Sequence, residues 1–142
     1  DEDLWHVQDH FPDVSTPNNV IAPCWAWNAS GRVYYLTGGT VPNRWLAVEW
    51  HEVTGPQPDD ISGDDTFTFE VVLYESGDIL FQYLHMTQTG SQYCLCAGIE
   101  DSMGLDGLTY MGYCRKPPSN KAVRFYRPTP SARVFPFSFR IA

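Results

Sequence analysis

Apolar and polar residues alternate along much of this chain with a period of two, the period of a strand with one buried face. Thr66-Phe67-Thr68-Phe69-Glu70-Val71 alternates without a break, and Ile79-Leu80-Phe81-Gln82-Tyr83 does so again. Glu75-Ser76-Gly77-Asp78 lies between them, a short connection whose glycine tolerates positive φ, so the two runs predict a β-hairpin. Further strands are predicted at 19–22, 32–37, 44–53, 93–99, 108–113 and 122–126. Turn chemistry separates them at Gly38-Gly39, Pro42-Asn43, the stretch 55–65, the stretch 104–107 and Pro117-Pro118-Ser119-Asn120. No convincing helix is found. Many short strands with regular turns predict an all-β fold, a single antiparallel β-sandwich of jelly-roll type.

The pattern resumes near the end of the chain. Arg127-Pro128-Thr129-Pro130-Ser131 reads as an extended linker. Val134-Phe135-Pro136-Phe137-Ser138-Phe139-Arg140-Ile141 then alternates, with Phe135, Phe137, Phe139 and Ile141 on one side. A row of that kind must be buried somewhere. Residues 1–127 are therefore expected to form the sandwich, with 1–16 as an N-terminal extension, and 128–142 to form a linker and strand. That strand either completes its own sandwich or inserts into a neighbouring molecule. Pro136 has no N–H, so the strand cannot be bonded along both sides.

A length of 142 residues suggests one domain with room for a two-layer core. The 43% hydrophobic content excludes a disordered chain, and the 18% charged content hints at surface covered by a partner. A net charge of −8 argues against nucleic acid and anionic membranes as partners. No run of about 18 apolar residues is present, so no membrane span is expected. The opening Asp1-Glu2-Asp3 reads as a mature end after processing. Cys24, Cys94, Cys96 and Cys114 are an even set, which predicts two disulfides of open connectivity rather than a zinc site. Cys94 and Cys96 share a face on a strand and are not expected to pair with each other. Asn28-Ala29-Ser30 is an N-glycosylation sequon, which fits a secreted protein.

Several stretches taken in order resemble an extracellular β-sandwich domain of bacterial and archaeal surface proteins. They are Pro17-Asn18-Asn19-Val20-Ile21-Ala22-Pro23, Val33-Tyr34-Tyr35, Pro42-Asn43-Arg44-Trp45-Leu46-Ala47-Val48-Glu49-Trp50, the runs 66–74 and 77–83, Ala97-Gly98-Ile99-Glu100-Asp101 and Ala122-Val123-Arg124-Phe125-Tyr126. The same pattern is similar to the ectodomain of plexin-domain-containing proteins and, more distantly, to nidogen-type domains. Members of that group usually carry a Phe-x-Phe strand before the Asn-x-Ile-Ala-Pro segment. Here that region is polar, and Phe135-Pro136-Phe137-Ser138-Phe139 at the other end looks like the missing strand. The resemblance implies surface display and adhesion rather than one reaction.

Candidate chemistry is sparse. His51-Glu52 lacks the second histidine of a zinc-protease motif, since position 55 is glycine. His6, His10, His51 and His85 read as packing or surface residues. No nucleophile elbow, phosphate loop or dinucleotide motif is present. Glu49, Glu70 and Glu100 are candidate paired carboxylates of a glycosidase, but each is more simply an outward polar position. Asp59, Asp60, Asp64 and Asp65 crowd one loop, which is either a solvated acidic loop or a calcium site; no other cofactor is implied. Asp101 and Asp106 form a weaker cluster. Trp45 and Trp50 have opposite parity, so one is expected in the core and the other outside or at an interface.

The expected function is that of a secreted, non-enzymatic structural subunit. It polymerises head to tail into a surface fibre by donating Val134, Phe135, Phe137, Phe139 and Ile141 to the next copy. The alternative is a monomeric adhesion or carbohydrate-binding module, with glycans or other surface proteins as partners.

Overall fold

The computed structural model describes residues 10–25, 30–54, 65–87, 95–112 and 115–128. Among them lie eight strands and no helix: β1 (Ile21–Trp25), β2 (Ser30–Gly38), β3 (Trp45–Thr54), β4 (Thr66–Tyr74), β5 (Ile79–Met86), β6 (Cys96–Glu100), β7 (Gly107–Met111) and β8 (Lys121–Phe125). They form two antiparallel sheets, of order β1-β6-β7 and β2-β3-β4-β5-β8. Each of the eight strands expected between residues 19 and 126 is present and in order. β1 begins later than expected and runs through Pro23, which an edge strand with an irregular ladder between Ala22 and Trp25 tolerates.

Alternation dictates the core. Phe67, Phe69 and Val71 of β4 point the same way as Phe81 and Tyr83 of β5, and all five are buried. Cys24, Ile99 and Tyr110 of the three-stranded sheet pack against them, so the two sheets lie face to face. Complete burial of one such side chain stabilises the fold by roughly 1.5–3 kcal/mol. Trp50 stacks on Phe69 with ring centres 5.2 Å apart, and Phe81 meets Phe125 edge-on at 5.0 Å. The hydroxyl of Tyr83 crosses between the sheets and donates to the Pro23 carbonyl at 2.7 Å. The hairpin between β4 and β5 forms as the sequence implies, with Gly77 at φ 89°.

One irregularity sets which residues of β3 face inward. Trp50 pairs with Phe69 but Val53 pairs with Phe67, so β3 holds one residue more than β4 over this step. Glu52 takes φ 49° there and its N–H donates to Thr68 Oγ1 at 3.1 Å. The bulge lets Trp50 and Val53, three positions apart, both reach the core.

A second cluster of Phe11, Ala22 and Cys96 covers the other side of the three-stranded sheet. Phe11 is 3% exposed and meets Trp25 edge-on at 6.4 Å. Its N–H donates to Thr109 Oγ1 at 2.8 Å, and that hydroxyl donates back to its carbonyl at 2.5 Å. The Asp13 N–H donates to Glu100 Oε2 at 3.0 Å, and the Asn19 N–H to the Asp101 carbonyl at 2.9 Å. A β-carbon on Gly98 would lie 2.5 Å from the Phe11 ring, so glycine is what lets the ring close on β6. The described part of the expected extension is thus a layer of the domain itself.

Candidate functional site

β2 is rich in β-branched and aromatic residues, which suits a pleated strand. Among the described residues it hydrogen-bonds to β3 alone and forms one edge of the five-stranded sheet. Edges are commonly kept short, charged or covered, because an unpaired row of N–H and C=O groups recruits another strand. β2 runs for nine residues with one charge, at Arg32. Val33, Tyr34, Tyr35 and Leu36 are 59%, 47%, 80% and 64% exposed, so both faces present apolar surface.

On the inward face, Val33 and Tyr35 pair with Trp50 and Val48. Those two β3 residues pack against the main core, whereas no β2 residue belongs to it. The described part of the three-stranded sheet therefore stops short of β2 and leaves Val33 and Tyr35 as a ledge.

On the outward face, Tyr34, Leu36, Trp45, Glu49, Glu70 and Tyr74 line a groove of about 380 Å³. The Trp45 ring lies against Gly38, where a β-carbon would stand 2.4 Å from it. The parity argument for the two tryptophans holds, with Trp50 inside and Trp45 outside. Glu49 and Glu70 are direct cross-strand partners, an arrangement that brings like charges together. Glu49 Oε1 lies 3.0 Å from His51 Nδ1, and His51 meets the Tyr34 ring at 5.9 Å. Glu70 accepts from the Gln82 amide. Among the described residues, neither carboxylate is paired with a lysine or arginine.

Glu100, expected to face outward, is instead 7% exposed beneath the 10–20 segment. Long-range covering, invisible in the alternation of β6, is the reason. Its Oε1 has no hydrogen-bond partner among the described residues. Asp65 is buried as well. Asp59, Asp60 and Asp64 lie outside the described residues, among which no three acidic, histidine or cysteine side chains converge as metal ligands. Cys24 packs against the main core and Cys96 belongs to the Phe11 cluster, so the two thiols project into different layers. Burial pushes the Cys24 thiol up to about 12, with Cys96 adding a smaller push. Cys94, Cys114, Asn28 and the whole row Val134, Phe135, Phe137, Phe139 and Ile141 lie outside the described residues. No described helix is long and apolar enough to cross a membrane.

A family model described as NIDO related matches residues 4–126. No curated protein and no solved structure matches the chain.

Proposed function

Since this chain belongs to the NIDO-related family, whose domains are typically extracellular, we propose that it is a secreted structural subunit that assembles head to tail by strand donation. In this reading Phe135, Phe137, Phe139 and Ile141 of one copy lie beside the ledge of Val33 and Tyr35 on the next. The observation that carries it is β2, a long edge strand with apolar surface on both faces. Adding a strand satisfies its backbone groups and covers the ledge in one step.

The sequence of the donor supports this placement. If the phenylalanines bond to β2, the N–H positions of 136, 138 and 140 point away from it, so Pro136 costs no ladder bond. The stretch 127–142 carries Arg127, Arg133 and Arg140 and no acidic residue, in a chain of net charge −8. Four buried side chains supply roughly 6–12 kcal/mol before ordering costs. Two disulfides among Cys24, Cys94, Cys96 and Cys114, a glycan on Asn28, and the finer likeness to plexin-domain-containing ectodomains and to prokaryotic surface proteins belong to the same proposal. A structural role needs no cofactor and no catalytic constellation.

The test is negative-stain electron microscopy of the full chain beside a form ending after Pro130. Strand donation requires filaments from the first and none from the second. Dispersed, stably folded particles from the full chain would return the strand to its own sandwich. The second reading, a monomeric adhesion or carbohydrate-binding module, draws on Tyr34, Trp45 and Tyr74 around the outer groove, since such rings stack on sugars.

A further inference from the structure

We infer that the acidic, aromatic groove on the outer face of the five-stranded sheet is the receptor for Arg140 of the incoming strand. This rests on the strand-donation reading and adds the contact that sets the direction and register of the joint.

The groove asks for a cation. Glu49 and Glu70 stand directly opposite each other, hydrogen-bonded to a histidine and an amide; Lys121 lines the adjoining pocket with both but forms no ion pair with either. Two adjacent carboxylates repel unless a positive group bridges them. Tyr34 is the cross-strand neighbour of Glu49, and an aromatic face attracts a guanidinium; Trp45 and Tyr74 stand farther along the same groove. An arginine meets both demands at once, through its forked donors and its flat face.

Parity selects which arginine. On a strand whose odd positions 135, 137, 139 and 141 turn inward, Arg133 turns inward too, and Arg140 turns outward. Arg127 precedes the linker. Placing Arg140 beside Tyr34 sets Phe139 and Ile141 beside Val33 and Tyr35, the two ledge residues that flank Tyr34. Tyr34 pairs with Glu49, and Glu49 with Glu70. The added strand is two strand spacings, about 10 Å, from β3, a gap that arginine and glutamate side chains span together. Slipping the donor by one residue would turn the phenylalanines to solvent and carry Arg140 into the core.

Sedimentation of the full chain and its variants measures the affinity of the joint. E49Q/E70Q and R140E should each weaken self-association by about tenfold or more, as expected for lost charge-assisted hydrogen bonds. The exchanged pair E49R/R140E, carried on one chain, should recover most of the loss. Polymers of unchanged affinity in E49Q/E70Q and R140E would overturn the Arg140 assignment and leave strand donation standing. Polymers weakened by both but not recovered by the exchange would also overturn it and assign the groove to another cation. A full chain that stays monomeric, or polymerises equally well when it ends after Pro130, would overturn strand donation itself.

Discussion

Phe11 and Gly98 offer a sharp test of whether residues 10–20 are a wall of the domain. Phe11 is almost wholly buried against Ala22, Cys96 and Trp25. Truncating such a side chain costs about 3–5 kcal/mol, a large share of a typical 5–15 kcal/mol stability. The hydrogen bonds of Asp13 to Glu100 and of Asn19 to Asp101 survive the truncation, at about 1 kcal/mol each, and hold the rest of the segment. Phe11→Ala should therefore fall toward the lower end of that range. Gly98→Ala acts through the opposite fault. Its β-carbon would stand 2.5 Å from Phe11 Cδ2 and 2.6 Å from the Leu108 carbonyl oxygen. Overpacking of this kind costs about 1–3 kcal/mol. With the ring gone only the carbonyl clash is left, so the double variant should be about 0.5–3 kcal/mol more stable than the two single losses imply. Urea unfolding followed by tryptophan fluorescence measures all three variants. Strictly additive losses would mean that Phe11 does not sit on Gly98, and the segment would have to be placed elsewhere.

Other perturbations probe the core and the groove. Tyr83→Phe removes the hydroxyl that donates to the Pro23 carbonyl and should cost about 1 kcal/mol in the same urea experiment. In reducing buffer the Cys24 thiol, pushed up to about 12 from 9.0, stabilises the fold below pH 9 and loses that contribution as pH rises from 9 to 12. Alkylation of Cys24 in the native protein should accordingly be slow at pH 8 and accelerate throughout that interval; a rate already at its plateau by pH 9 would contradict the buried thiol. Gly38→Ala should push the Trp45 ring off its seat, shifting its fluorescence to the red while leaving Trp50 on Phe69. An unchanged spectrum would place the indole elsewhere.

What could be read from the sequence follows from the range of each interaction. The β4–β5 hairpin is legible because alternation and a glycine turn are both local, and parity alone separates Trp45 from Trp50 because the bulge comes after them. Phe11 was hidden for the opposite reason. Its stretch has no strand alternation to mark it as buried, and its seat on Gly98 lies 87 positions away. The burial of Glu100 was lost with it. Val33-Tyr34-Tyr35-Leu36 is apolar without alternation, a pattern suited to a strand buried on both faces. That both faces are exposed depends on β2 ending the sheet, and strand order is a non-local property. The groove is legible only in retrospect, since joining Glu49 to Glu70 requires the β3–β4 register. Cys24 and Cys96 fall into separate clusters because the ladder between β1 and β6 slips between Ala22 and Trp25.

The extra residue at Glu52 leaves β3 out of phase with itself. From Trp45 to His51 the odd positions look outward, yet beyond the bulge Val53, also odd, looks in. The strand is two reading frames joined by one residue. A substitution scan must be interpreted with opposite expectations on either side of that joint. Deleting Glu52 would not shorten a loop: it would merge the frames, bringing Val53 to the parity of Trp50 so that Trp50, His51 and Val53 run opposite Phe69, Thr68 and Phe67 one for one. Substitution at this position tests its chemistry; deletion tests the count, and the count it leaves is a single alternation with Trp50 and Val53 both inward.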